Sequence, residues 1–415
     1  MSSNLLTRRE RCRACLGLRL EKVLSLGKTP AANAFLKKED LNKPEHYFPL
    51  EVYFCHDCSL LQLLDIVSPE FLFRNYVYIS SFSPVFIKHF QSFADEVTSR
   101  YHLSKDSFVI DVGSNDGILL NPFQKYGIHV LGVDPAVKIA EQATREGVET
   151  VPEFLTPAVA RAIVSKYGYA DVVTGNNVFA HVDDLDGLVE AVKILLKPNG
   201  IFIVETPYLI DFLDKYLFDT VYHEHVSYYT VHPLTVLFKR LGMNVFDVQK
   251  VSSHGGSLRV FIQKDDGGHP LEAAVSEYTV HEKERKLNQV ETYHEFAKKV
   301  KHNKAKLTTL LASFKEQGAR IVGYGAAAKG NTLLNYFGIG NDILDYIVDD
   351  SEWKQGLYTP GTHIPVVARS ELERKTPDYI ILLAWNYADA IMKNLMNFHD
   401  QGGKFVIPVP DPHIV

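Results

Sequence analysis

Short unbroken apolar runs alternate along this chain with longer stretches of helical spacing. "SFVIDV", "HVLGVD", "YADVVTGNN" and "IFIVETPY" each predict a buried strand. Between the last two, "AVKILLKPNG" reads as a helix closed by a Lys-Pro-Asn-Gly turn. Strand and helix in alternation predict an open α/β sheet. The pattern recurs near the C-terminus. There "ARIVGYGAAAKGNTLLNYF" gives strand, glycine turn and helix, "ILDYIVDD" a strand ending at Asp349 and Asp350, and "YIILLAWNY" one ending at Trp385 and Asn386. Between the two sheets, Pro270 to about Gly318 is charged and helix-periodic, with no further glycine or proline until Gly318, and predicts a long helix or a helical pair.

Ahead of the first sheet lie all four cysteines, Cys12 and Cys15 in "CRAC" and Cys55 and Cys58 in "CHDC". Each C-x-x-C turn can aim two thiolates at one point about 2.3 Å away, so two turns complete a closed tetrahedral zinc site, which is structural rather than catalytic. The competing reading is a pair of redox dithiols. The intervening "LGKTPAANAFL" and the strand-like "HYFPLEVYF" predict a small ribbon around the metal, with His46 and His56 outside the ligand set. The expected division is a zinc ribbon over 1–75, an α/β domain over 76–270, a helical linker over 271–318 and a second α/β domain over 319–415.

Length and charge narrow the class. The chain has 415 residues, 46% of them apolar, enough for two or three cores. Its net charge of −6 leaves no broad basic surface for a phosphate backbone, and nucleic acid is not an expected partner. Lys298, Lys299, Lys301, Lys304 and Lys306 read as a solvated helix face rather than a phosphate site. No apolar run approaches the ~18–20 residues that span a bilayer, and "MSSNLLTRRERCRAC" lacks the apolar core of a signal peptide. A cytoplasmic protein without a membrane partner is expected.

The chemistry starts at the turn "DVGSNDG". Asp111 ends a strand, Gly113 turns the backbone, and Gly117 permits close approach where the helix begins. Asp134, at the end of the next strand, is placed to accept hydrogen bonds from ribose hydroxyls, as in other nucleotide-binding sheets. These residues alone imply an adenosine-containing cofactor, with a purely structural sheet as the other reading. Further on, "VYHEHVSYYT" sets Glu224 between His223 and His225. The two histidines are two apart rather than four, which disfavours a helical zinc site. Proton transfer fits better: a histidine takes a proton near neutral pH, a carboxylate fixes its tautomer, and tyrosines donate to a developing oxyanion. In an extended segment His223 and His225 would face one way and Tyr222 and Glu224 the other, which leaves a polar seam as the plainer reading.

The ribbon cysteines, "LGKTPAANAFL", "NYVYISSFS", "DVGSNDG", "NNVFAHV", "DTVYHEHVSYYT", "SHGGSLRVF" and "VGYGAAAKGNTLLNYF" together resemble the S-adenosylmethionine (SAM)-dependent nucleotide-sugar C-methyltransferases. The resemblance runs through nearly the whole chain. It implies an N-terminal zinc ribbon, a class I SAM methyltransferase Rossmann-like domain and a C-terminal Rossmann-like domain. It also implies SAM and structural Zn2+ as cofactors, a dTDP- or GDP-linked 4-keto-deoxysugar as partner, and methylation at C3 by way of an enolate. A monomer is expected. His225 would be the base, assisted by Tyr222 and Glu224, with His181 near the reacting groups. Asp111, Gly113, Asn115, Gly117, Asp134, Asn176 and Asn177 would hold SAM. Tyr76, Tyr78, His254, Gly255, Ser257, Arg259, Gly325, Lys329, Asn331 and Asp350 would contact the sugar nucleotide, and Cys12, Cys15, Cys55 and Cys58 the metal. Ser59 departs from the glycine usual after the second cysteine pair. On physical grounds alone, the C-terminal glycine turn could instead hold NAD in an oxidoreductase, or the chain could be a zinc-ribbon interaction protein.

Overall fold

The computed structural model describes residues 5–74 and 84–415. Two compact units emerge. The first comprises Met1–Glu21, Phe54–Asp211 and Val226–Gln289, and the second Lys22–Tyr53, Phe212–His225 and Val290–Val415. This differs from the division by consecutive segments. In the second unit, Leu36 bridges Tyr358, Asn331 Nδ2 donates to the Ala32 carbonyl at 2.7 Å, and Glu45 accepts from the Gly361 amide at 2.9 Å. Pairings between positions some three hundred residues apart leave no mark on local periodicity.

The first unit is built on a seven-stranded sheet. Its order is Met243–Val251, Ser257–Lys264, Leu196–Pro207, Ala170–Asn176, Phe108–Val112, His129–Val133 and Thr150–Val151. The last five run parallel; Ser257–Lys264 pairs antiparallel with both of its neighbours. Strands such as "FVIDV" are buried along their whole length because helices cover both faces. Helix Pro84–Arg100 sends Phe90, Phe93, Ala94 and Val97 into a core with Val109, Phe123, Val172 and Phe261. Thr156 starts helix Pro157–Tyr167 by accepting the Val159 amide at 3.2 Å, with proline at the first position. Strand order reverses between Phe108–Val112 and Ala170–Asn176, the crevice at which such sheets take ligands.

The second unit carries a six-stranded sheet in the order Val366–Val367, Ile347–Val348, Ile321–Tyr324, Tyr379–Leu382, Lys404–Ile407 and His413–Ile414, parallel except for the last pair. Helix Ala328–Phe337 follows the first of these strands in sequence and stops at Gly338, whose left-handed φ of 71° closes it. The expected linker is a helical pair, Ala273–Glu284 and Val290–Glu316, and the unit boundary falls between the two. No helix among the described residues is long and apolar enough to cross a membrane.

Candidate active site

In the N-terminal segment, the four cysteine sulfurs lie within 4.8 Å of one another and none is in a disulfide. Cys12 and Cys58 Sγ are 3.5 Å apart, Cys15 and Cys55 3.6 Å. A tetrahedron with 2.3 Å bonds has edges of about 3.8 Å, so the set fits one Zn2+. Crowding alone divides the thiols: hydrogen bonding with Cys15 pushes Cys12 down, and hydrogen bonding with Cys12 pushes Cys58 up. Ser59 has a φ of 64°, a left-handed backbone that explains why glycine suits this position. His56 turns away, with Nε2 2.9 Å from Glu21. Within the same loop Arg13 is fully buried. It reaches the Val226 carbonyl, Ser227 Oγ at 3.2 Å, the Leu63 carbonyl at 2.8 Å and Asp183 Oδ1 at 3.0 Å.

On the large sheet, the residues expected to hold SAM gather at the strand ends. Gly113 has φ 68°, and a Cβ there would lie 2.2 Å from Val178 Cγ2, so only glycine fits. Asp134 braces the turn through backbone amides: Oδ2 accepts from Asn115 at 2.9 Å and Oδ1 from Ala136 at 2.8 Å. Each oxygen keeps a second lone pair for a ligand hydroxyl. Asp111 is buried and accepts from Thr174 Oγ1 at 2.6 Å; burial pushes its carboxyl up to about 7. Neither polar atom of the Asn176 side chain has a hydrogen-bond partner among the described residues, nor has Asn177 Oδ1 or Ser114 Oγ. Orphaned polar atoms around a glycine cradle fit a polar cofactor.

His181 stands at the end of the turn Phe179–His181 and stacks on Phe73, ring centroids 5.7 Å apart. Arg259 was expected to meet substrate, but its side chain is 4% exposed and committed. It pairs with Glu205 Oε1 at 2.7 Å and Glu96 Oε2 at 2.6 Å, and lies over the Phe93 ring. Ser257 is likewise buried, its hydroxyl donating to the Ser253 carbonyl at 3.0 Å. Gly255 and Gly256 turn the chain with φ of 87° and 129°, and a Cβ on Gly256 would meet Asp211 Cγ at 2.3 Å. Tyr76 and Tyr78 lie outside the described residues, as does the side chain of His254.

The Tyr-His-Glu-His segment belongs to the second unit and is not extended. A turn carries it, the His225 amide donating to the Tyr222 carbonyl at 2.9 Å. Alternation therefore fails, and Tyr222 and His225 come together: Oη lies 2.9 Å from Nε2, the ring centroids 4.0 Å apart. His225 Nδ1 sits 2.8 Å from the Thr220 carbonyl. A carbonyl only accepts, so the proton is on Nδ1 and the lone pair on Nε2. His223 faces inward, buried against Phe48, and burial pushes it down to about 4. Glu224 is buried and accepts from Asn33 Nδ2 at 2.8 Å.

In the same unit, Gly325 turns with φ 94°. The Ala326 amide donates to Asp349 Oδ2 at 2.7 Å, as the Asn115 amide does to Asp134. Lys329 bonds Asn386 and lies 4.9 Å from the centre of the Trp385 ring; burial lowers its pKa against the opposing charge of Asp219. Trp385 Nε1 donates to Asp219 Oδ2 at 2.6 Å. Asp350 accepts from the Tyr324 hydroxyl at 2.9 Å, and Asn331 is buried with its amide spent on Ala32. Asp219, Trp385 and Asn386 were not singled out as site residues, though "YIILLAWNY" ends on two of them.

Three family models cover most of the chain. One described as a zinc binding domain matches residues 12–73, a methyltransferase domain matches 86–248, and a C-methyltransferase C-terminal domain matches 252–410. C-methyltransferase NovU of Streptomyces niveus is 36% identical over 98% of this chain and 97% of its own. The chain belongs to the SAM-dependent C-methyltransferases. A ubiquinone biosynthesis O-methyltransferase of Rhodopseudomonas palustris (strain HaA2) shares 30% identity over 99 residues, 24% of this chain and 39% of that one. Magnesium protoporphyrin IX methyltransferase from Synechocystis PCC 6803, solved with bound SAM, covers 42% of this chain and 77% of its own at 14% identity and TM-score 0.33. As a C-methyltransferase the protein uses SAM, and its cysteine cluster is a zinc site. The C-terminal sheet that could have held NAD falls within the C-methyltransferase C-terminal domain, so the oxidoreductase and interaction-protein readings give way.

Proposed function

We propose that this C-methyltransferase methylates the carbon beside the ketone, C3, of a dTDP- or GDP-linked 4-keto-deoxysugar, with His225 as the base, in deoxysugar biosynthesis. One observation carries the base assignment. His225 presents Nε2 as its lone pair because Nδ1 is occupied by the Thr220 carbonyl at 2.8 Å, and the Tyr222 hydroxyl stands 2.9 Å from that lone pair. Both residues are half-buried, so a substrate C–H can displace the phenol as partner of Nε2. Nε2 takes the proton, and the electron pair of the C–H bond becomes the enolate of the ketone. The Tyr222 hydroxyl is then available to donate to the enolate oxygen. Bound SAM supplies the electrophilic methyl group. Gly325, at the glycine turn, and Lys329, at the start of helix Ala328–Phe337, suit the negative charge of a diphosphate.

The NovU relative supports C-methylation, and the sugar nucleotide rests on the resemblance and on this polar, partly cationic site. Mass spectrometry of dTDP- and GDP-4-keto-deoxysugars incubated with enzyme and SAM tests it. A methylated sugar in ordinary water names the nucleotide, and deuterium entering the unmethylated ketosugar from deuterium oxide without SAM shows the enolate. No change in either sugar refutes the substrate assignment.

A further inference from the structure

Another histidine meets a carboxylate near the end of an interior strand of the seven-stranded sheet. His89, on helix Pro84–Arg100, places Nε2 2.7 Å from Glu205 Oε2, and Glu205 ends the apolar run of strand Leu196–Pro207. The Glu205 side chain is fully buried, and its other oxygen takes Arg259 Nε at 2.8 Å and the second guanidinium nitrogen at 2.7 Å. Burial alone would raise this carboxyl, but the hydrogen bond from His89 and the charge of Arg259 outweigh it and hold the carboxyl below its ordinary value. Glu205 is therefore an ionised acceptor with its lone pairs engaged, and it takes the Nε2 proton of His89. Nδ1 remains, without a partner among the described residues, on a side chain 14% exposed.

Sheet order says what lies near that nitrogen. Glu205 is paired in register with Asn176, the residue whose side chain has no partner, and the Asn177 amide donates to the Glu205 carbonyl at 2.8 Å. Asp134, the acid placed for the ribose, follows strand His129–Val133. From there to Leu196–Pro207 is three strand steps, about 14 Å at ~4.8 Å each. His89 is thus displaced from Asp134 toward the strand ends that carry Glu205 and the unpartnered side chain of Asn176, the side left for the methyl and its acceptor if Asp134 holds the ribose.

We propose that His89, oriented by Glu205 and Arg259, binds the methyl acceptor directly, its Nδ1 accepting a hydrogen bond from a hydroxyl group of that acceptor. The inference rests on the reading of the acceptor as a hydroxyl-bearing sugar. Arg259, which sequence reasoning assigned to the substrate, serves it at one remove by holding Glu205.

The test measures steady-state methylation of dTDP- and GDP-linked 4-keto-6-deoxyhexoses by His89→Ala and His89→Asn, with thermal stabilisation by S-adenosylhomocysteine in parallel. Asparagine keeps an acceptor oxygen close to the place of Nδ1. Expected for alanine is a roughly tenfold fall in kcat/KM for the sugar, carried by KM, with stabilisation by S-adenosylhomocysteine unchanged. Asparagine should recover most of the loss; if the alanine variant does not fold, asparagine is compared with His89→Leu. Wild-type KM in the alanine or leucine variant overturns the inference, as does an equal loss of S-adenosylhomocysteine binding. A wild-type enzyme that methylates neither sugar instead removes the reading beneath it.

Discussion

The Tyr222 phenol lies against the His225 imidazole with ring centroids 4.0 Å apart and Oη 2.9 Å from Nε2, because a turn and not a strand joins them. One side chain thereby covers the lone pair of the other. A histidine held this way has its Nε2 covered by the phenol.

His225→Asn should retain S-adenosylhomocysteine binding and lose roughly two to four orders of magnitude in turnover, the usual contribution of a general base. Tyr222→Phe should cost less, roughly tenfold, while leaving deuterium exchange into the ketosugar measurable. Undiminished turnover in the first variant would pass the base role to Tyr222 or His181.

Asp111 should trade stability for ligand. Its carboxyl ionises near 3.8 in an unfolded chain and near 7 in the buried site, so native stability falls as pH rises between those values and the penalty is complete above pH 7. Asp111→Asn should therefore raise the apo melting temperature at pH 8, leave it little changed at pH 4, and weaken S-adenosylhomocysteine binding. Calorimetry with and without that ligand reads both effects; a lower apo melting temperature at pH 8 contradicts the buried-acid account.

His223 acts in the opposite pH range. Burial holds it at about 4 against 6.5 unfolded, so stability it leaves intact above pH 6.5 is lost as pH falls toward 4. The full loss is about 3 kcal/mol. Denaturant titrations of wild type and His223→Gln should show a stability difference that shrinks across that window. A constant difference would mean that the ring is not buried neutral.

Cys55→Ser should lower zinc content and folded yield together, since a closed four-thiolate site contributes its binding energy to folding. Metal analysis alongside circular dichroism checks it. A variant with normal stability and full activity would show that the cluster does not hold this region.

Local structure was legible where it depends on neighbours in sequence: two C-x-x-C turns, a glycine turn at Gly113 that the structure gives φ 68°, and a strand closing just before Asp134. The Tyr222–His225 pairing was open at the level of geometry, because a polar ten-residue run has no apolar period to separate turn from strand, and only the turn brings the two rings together. The burial of Arg259 was hidden for a different reason. "GGSLR" resembles a ligand loop, but its arginine lies in a strand whose ion-pair partners, Glu96 and Glu205, are 163 and 54 residues away. His89 was missed outright, since its carboxylate is 116 residues distant and nothing in "FIKHFQSF" marks the ring as other than helical surface.

Arg13 carries a consequence for biosynthesis. The two terminal nitrogens of its guanidinium bond Leu63, Asp183, Val226 and Ser227, the last 214 residues further along. At roughly 5–20 residues per second of synthesis, the loop holding the first two cysteines leaves the ribosome about 10–40 s before its last acceptor exists. The loop holding Cys12 and Cys15 is thus locked only after a residue 214 positions beyond Arg13 has been made, and until then its thiols stand in an unfinished cradle.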